Sequence, residues 1–207
     1  MLPSRATQSH GYGVLVVLVH SVKVLGLDGT PLDGSARTGA PTVPAMSDAP
    51  GSQKNEAFDE PSRDEIPGIS RQHTAWLETT NDEEAWIIAG MDHVILHTVG
   101  RKSGNEHKVT LPFWMDPEGR RVVVGSFAGA PQHPAWVLNL QDRSANPKVK
   151  IRVRNGFYEC DAVVLEGEER QRIWDLLTAD REYYNDYQSR TDRQLPLVRF
   201  ENLVDIS

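Results

Sequence analysis

One cysteine, Cys160, is all that 207 residues contain. A lone thiol excludes an internal disulfide framework and a zinc site built on clustered cysteines. Long hydrophobic runs are missing as well. The run Val14-Leu15-Val16-Val17-Leu18-Val19 stops at six residues, far short of the roughly 18–20 a helix needs to cross a bilayer. An integral helical membrane protein is therefore excluded. Positive charge is not in excess: 22 basic against 29 acidic residues leave a net charge of −7, which argues against a general nucleic-acid binder. Neither a Gly-rich dinucleotide fingerprint nor a phosphate-cradling P-loop is present, which argues against a Rossmann-type NAD enzyme and a nucleotide hydrolase.

The charge that is there is unevenly spread. Residues 93–154 carry 10 basic and 4 acidic side chains, while residues 155–207 carry 6 and 12. A basic middle between acidic flanks suits a small anionic ligand, because the flanks would repel a long polyanion; a solvated basic face is the plainer alternative. Residues 28–68 hold six of the thirteen prolines, five glycines and Phe58 as the lone aromatic. Such a stretch cannot bury enough apolar area to offset its ordering entropy, so residues 1–68 read as a disordered leader, with Met46 as an alternative start. Only Arg5 precedes the short apolar run and no small-x-small site follows promptly, so a secretion signal is not indicated. One globular domain is expected over residues 70–207.

Within it, strand-like runs follow at His93–Val99, Lys108–Met115, Arg121–Phe127, Lys148–Arg154, Phe157–Glu166 and Leu195–Glu201. The clearest is Lys148-Val149-Lys150-Ile151-Arg152-Val153-Arg154, whose period-two alternation gives one apolar and one cationic face. Asn155-Gly156 and Pro117-Glu118-Gly119 read as tight turns. Helices are expected over Pro134 to Gln141, opened by proline, and over Glu168–Ala179, with acidic residues in the first turn where the macrodipole favours them. Asn81 or Asp82 could cap a short helix before Trp86. Six short strands with few helices predict a small closed antiparallel barrel, mainly β with α.

Four features could carry chemistry. Gly100-Arg101-Lys102-Ser103-Gly104 is a glycine-bounded loop presenting two cations and a hydroxyl, able to bind a phosphate through backbone N–H groups, the Arg101 fork and the Lys102 point charge, or to be a solvated turn. Ser126-Phe127-Ala128-Gly129-Ala130 leaves backbone open for the close approach of a flat ring, though a strand-to-helix loop with Trp136 in the core would look the same. Tyr184 and Tyr187 share a face if helical, as core aromatics or as hydrogen-bonding groups in a cleft. His93 and His97 lie on one side of a strand, but no further ligand is spaced to complete a metal site; Cys160 reads as a small core residue.

Together these segments resemble the deazaflavin-dependent nitroreductase family, split β-barrel oxidoreductases that use coenzyme F420. Four blocks carry the resemblance: the strand ending in Gly100-Arg101-Lys102-Ser103-Gly104; Val122 to Ala130; His133-Pro134-Ala135-Trp136-Val137-Leu138-Asn139-Leu140 with Ala145-Asn146-Pro147; and Asp186 to Pro196. The resemblance implies an FMN-binding split-barrel-like fold with a few flanking helices. It also implies hydride transfer from reduced coenzyme F420 (an 8-hydroxy-5-deazaflavin) to an electron-poor small molecule such as a quinone, nitroarene or activated enone. It assigns Arg101, Lys102 and Ser103 to the phosphate and anionic tail. His107, Lys108, Val109, Thr110, Leu111 and Pro112, with Val124, Gly125, Ser126 and Phe127, would line the ring. Ala135, Trp136, Val137, Leu138 and Asn139 would close the pocket, and Tyr184, Tyr187 and Ser126 would stand beside the substrate as catalytic candidates.

Three departures accompany it. His107 stands where family members usually have arginine, so Lys108 would share the tail. Thr110 replaces a proline, and Arg181 replaces an aromatic of the tyrosine cluster. Alternatives are an FMN-binding split-barrel oxidoreductase and a non-catalytic deazaflavin-binding protein. The expected location is the cytoplasm, with at most a peripheral contact, through Trp76–Ile88, with the inner face of the plasma membrane. The oligomeric state is left open.

Overall fold

The computed structural model describes residues 62–207. The leader expected over 1–68, apart from its last residues, lies outside the described residues, as do the apolar run Val14–Val19 and Met46. In chain order the elements are α1 (Ile66–Leu77), the one-turn α2 (Glu83–Trp86), β1 (Ile87–Ile88), β2 (Met91–Val99), β3 (Glu106–Met115), β4 (Arg121–Val124) and a 3-10 turn (Phe127–Gly129). Then come α3 (Ala135–Gln141), β5 (Val149–Val153), β6 (Gly156–Val164), α4 (Gly167–Asp180), α5 (Tyr183–Ser189) and β7 (Leu197–Asp205).

All strand pairs are antiparallel, in the order β1-β2-β3-β4-β7-β6-β5, and β5 pairs back onto β2. Six strands therefore close a barrel, and β1 is a short addition at the edge of β2. Closure satisfies the backbone groups that an open sheet would leave along its edges. Period-two alternation then sorts the side chains. Val94, Leu96, Phe113, Val123, Val149, Ile151, Cys160, Ala162, Val198 and Phe200 fill the interior, and Trp136, Val137 and Leu140 of α3 plug one end. Cys160 is fully buried there and burial pushes its thiol up to about 12, so it is a packing residue.

The opposite strand faces carry the helices. Ile95 packs with Leu77, Ala85 and Trp86 from α1 and α2, so most apolar positions of Trp76–Ile88 turn onto the barrel and Trp76 stays exposed. Val122, Val124 and Leu197 pack under Ile173, Trp174 and Leu177 of α4 and Tyr184 of α5. Among the described residues, no helix is long and apolar enough to cross a membrane.

The sequence-predicted strands appear with shifted ends, and two of the shifts have a visible cause. The β4 strand ends at Val124 rather than Phe127, because Phe127, Ala128 and Gly129 follow with φ of 47°, 49° and 69°, a left-handed run no ladder accommodates. Gly156 pairs with Val153 instead of forming the turn. A Cβ there would lie 2.4 Å from the Tyr158 hydroxyl, so glycine serves a close aromatic neighbour. Pro134 is the N-cap of α3, one residue outside the helix.

His93, on the outer face of β2, lies edge-on to His73 of α1 with ring centroids 4.9 Å apart, and His73 Nε2 is 3.1 Å from the Ala85 carbonyl. Burial, then the neighbouring His73, depresses His93 from 6.5 to about 3. Between those values the unfolded chain binds a proton that the folded chain does not, so stability is present above pH 6.5 and lost as pH falls toward 3. We expect the urea midpoint to drop on acidification with a contribution of about 1.4 kcal/mol per pH unit from this group. His93→Gln should flatten the profile; an unchanged slope in that variant would assign acid sensitivity elsewhere.

Candidate functional site

Antiparallel pairing brings the C-terminal ends of β2 and β4 and the start of β7 to the same end of the barrel, the end plugged by α3. Two loops meet there. The first, 100–105, is a tight turn in which Gly104 N–H donates to the Gly100 carbonyl (2.7 Å) and Gly100 N–H to that of Asn105 (2.8 Å). A Cβ on Gly100 would stand 2.5 Å from Ser103 Oγ and 2.6 Å from His107 Nε2, so a larger residue there would push both side chains off the turn. Asn139 of α3 fixes the turn from below: Arg101 N–H donates to Asn139 Oδ1 (3.3 Å), and Asn139 Nδ2 donates to Thr98 Oγ1 (3.1 Å). Arg101 and Lys102 are exposed, and among the described residues neither has an ion-pair partner. Ser103 Oγ is 3.2 Å from His107 Nε2.

The second loop, 125–130, follows β4. Ser126 and Phe127 are half-buried, and Gly125, Ala128, Gly129 and Ala130 are buried. A Cβ on Gly125 would meet Val137 Cγ2 at 2.8 Å, which sets the strand end directly against α3. His133 is held below its ordinary pKa by burial and by Arg193. Of the α3 candidates, Trp136 and Val137 lie in the core, Asn139 is buried at the turn, Leu138 is half-buried and Ala135 is exposed.

The strand expected to line a ring divides by its alternation. Val109 and Leu111 pack against the barrel core. On the outer face Lys108 pairs with Glu78 (2.5 Å), and Thr110 is covered by α1, with Thr110 Oγ1 2.8 Å from Thr74 Oγ1 and Thr110 N–H donating to Ser70 Oγ (3.3 Å). Pro112, the next residue on that face, is half-buried. Lys108 is thus neutralised by a carboxylate, whereas Arg101 and Lys102 have no ion-pair partner among the described residues.

The tyrosines form one aromatic cluster. Tyr183 and Tyr184 have ring centroids 4.5 Å apart, and Tyr187 is 5.7 Å and 6.0 Å from them, edge-on. Tyr184 is 3% exposed, and burial, then Tyr183 beside it, raises its hydroxyl well above the ordinary value. Tyr187 is half-buried. The Tyr187 carbonyl approaches the 3-10 turn so closely that a Cβ on Gly129 would lie 2.4 Å from it. The segment carrying Tyr187 thereby lies against the turn that follows Ser126, while Tyr184 is buried in the aromatic cluster. His93 and His97 part company: His97 Nδ1 is 3.1 Å from Glu106 Oε1. Among the described residues, no group of three or more His, Cys, Asp or Glu side chains could hold a metal ion.

Two residues do more than sequence reading assigned them. Asn146 links β2 to α3, and Arg193 binds the 125–130 loop. Both lie in blocks that carried the resemblance, but the partner of Asn146 on β2 is 47 residues away and those of Arg193 are 60 or more, so only the fold reveals them.

A closed six-stranded antiparallel barrel, with helices on its outer face and a cationic turn at one end, is a split-barrel fold. The chain belongs to the F420H(2)-dependent quinone reductase family, whose model matches residues 69–202. It is 30% identical over 134 residues to an F420H(2)-dependent quinone reductase of Mycobacterium tuberculosis, across 63% of this chain and 87% of that protein. A solved F420-H2 dependent reductase is 34% identical, covering 53% of this chain and 93% of its own, with a TM-score of 0.45. The protein is therefore an oxidoreductase that depends on coenzyme F420, which settles the cofactor in favour of the deazaflavin over FMN. The donor set fits such a group. Two unpaired cations suit an anionic tail, and the Gly125–Ala130 backbone, bare of large side chains except Phe127, suits a flat ring.

Proposed function

We propose that this enzyme reduces a quinone, holding the coenzyme's anionic portion at Arg101, Lys102 and Ser103 and its ring along residues 124–127 and Pro112. The observation that carries the reading is the unpaired cation pair on a turn anchored by Asn139, within the matched family region. When bound, the reduced deazaflavin supplies a hydride. The chain's own task is to hold ring and acceptor in contact and to manage the proton. Reduction of a quinone to the quinol takes one hydride and one proton. Ser126 and Tyr187 are the half-buried hydroxyls able to hydrogen-bond the developing oxyanion and deliver that proton directly or through water. Tyr184, sealed in the aromatic cluster, braces Tyr187 from behind and forms the wall of the site. His107 supports the turn through Ser103, whereas Lys108 is held by Glu78.

The acceptor is a small molecule. A cytoplasmic enzyme meeting lipid-soluble quinones at the inner face of the plasma membrane is consistent with the exposed Trp76. Mixing the protein with reduced coenzyme and menadione should accelerate cofactor reoxidation far above the protein-free rate, followed by absorbance near neutral pH. No acceleration with correctly folded protein would remove quinones as the substrate class.

A further inference from the structure

The 125–130 loop contains two non-glycine residues in the left-handed region, Phe127 and Ala128, followed by Gly129. A backbone of this kind persists only where its surroundings over-determine it. The side chain that binds this loop at the most points is one guanidinium. Arg193, on the segment between α5 and β7, donates from Nε to the Ala130 carbonyl (2.7 Å), from Nη1 to that of Gly125 (3.0 Å) and from Nη2 to that of Ser126 (2.6 Å). Nη1 also lies 3.3 Å from His133 Nδ1. No carboxylate among the described residues pairs with Arg193, so its half-buried charge is met by carbonyl dipoles of this loop and the His133 ring.

Lysine could not do this. A planar fork of fixed donors spans three carbonyls at once, whereas an ammonium is a compact point charge on a flexible stem. The bonds bracket the left-handed run, with Gly125 and Ser126 before it and Ala130 after it. From the other side the Tyr187 carbonyl and Arg63, which donates to the Gly129 carbonyl (3.3 Å), close on the same turn.

We propose that Arg193 is a positioning residue for hydride transfer: its guanidinium sets the 125–130 backbone in the shape that presents Ser126 to the ring and acceptor. The proposal rests on reading that loop as the ring-facing one. The test separates the two claims by measuring the loop without cofactor first. Hydrogen exchange of the cofactor-free protein should be about tenfold faster at the 126–130 amides in Arg193→Ala, with amides of β2 and β5 unchanged. The dissociation constant for reduced coenzyme should rise about tenfold and be partly restored by millimolar guanidinium ion. Arg193→Lys should show the same loop loosening without rescue, and it serves as the readable variant where the alanine protein does not fold. Loop exchange within twofold of wild type would overturn the proposal. So would exchange accelerated evenly over the whole barrel. Loosened exchange and guanidinium rescue of the loop with unaltered coenzyme affinity would instead remove the loop from the ring site, leaving Arg193 a structural clamp and overturning its positioning role.

Discussion

Replacing Arg101 and Lys102 together by alanine should raise the dissociation constant of the reduced coenzyme about thirtyfold at low ionic strength, with no change in thermal midpoint. Both side chains are exposed and unpaired, so removing them deprives the fold of nothing. The ligand loses two cationic contacts, each worth about 1 kcal/mol at a solvated position, and about 1.4 kcal/mol is a factor of ten. Salt supplies the control. At 1 M ionic strength the Debye length shrinks to about 3 Å, so wild-type affinity should fall toward that of the double variant and the ratio should compress to a few-fold. A deazaflavin lacking its phosphate and acidic tail should bind both proteins equally. Fluorescence titration reads all three. Equal affinity of the two proteins for the intact coenzyme at low salt would make the turn a solvated basic hairpin and return the cofactor's anchorage to other residues.

How far the sequence carries depends on the range of the interaction. The β5 strand was legible because alternation is local: Val149 and Ile151 point inward, Lys150 and Arg152 outward. The barrel followed from hairpin turns between short strands. Strand ends were less legible: β4 ends where Arg193 and Tyr187, distant in sequence, hold a left-handed turn, and although the small residues of 125–130 mark a loop, Phe127 and Ala128 do not announce a positive φ. The helix α1 was hidden at the edge of the proline-rich region; it starts at Ile66, just before the residue-70 boundary expected for the domain, and its buried His73, Thr74 and Leu77 are few.

At the site the resemblance supplied positions but not their surroundings. Lys108 was assigned to the tail on family grounds, and in the fold it faces Glu78, which follows directly on α1. Thr110 stands where a proline is usual, and its hydroxyl and N–H both bond to α1. A proline there would lack both, so the replacement is matched to the helix that covers it. The same reasoning separates three hydroxyls that look alike in sequence: Tyr184 is sealed by its neighbours, whereas Tyr187 and Ser126 retain access.

Asn146→Ala should be the most damaging single change at this end, lowering the thermal midpoint by about 10 °C and weakening coenzyme binding with it. The β2–β5 ladder ends at His97 opposite Lys150, so the edge of Val99 facing that side has no strand beside it. Asn146, 1% exposed, fills the position with its side chain. Its Oδ1 accepts from Val99 N–H (2.6 Å), and its Nδ2 donates to the carbonyls of Val99 and Asn139 (both 2.9 Å). The side-chain amide thereby imitates a peptide group and ties the end of β2 to α3, whose Asn139 holds the Arg101 turn. Truncation strips Val99 N–H and the Val99 carbonyl of these bonds and leaves the Asn139 carbonyl with Asp142 N–H alone (3.1 Å); a buried group left unpaired costs about 1–3 kcal/mol, and a total of about 3 kcal/mol corresponds to roughly 10 °C in a domain of this size. Asn146→Asp separates hydrogen bonding from volume. A carboxylate can accept from Val99 but sets negative charge against two carbonyls, so at neutral pH it should be no better than alanine and should recover on acidification as it regains a donor. A midpoint within 2 °C of wild type for the aspartate variant would show that shape, not the paired donor and acceptor, is what this corner requires.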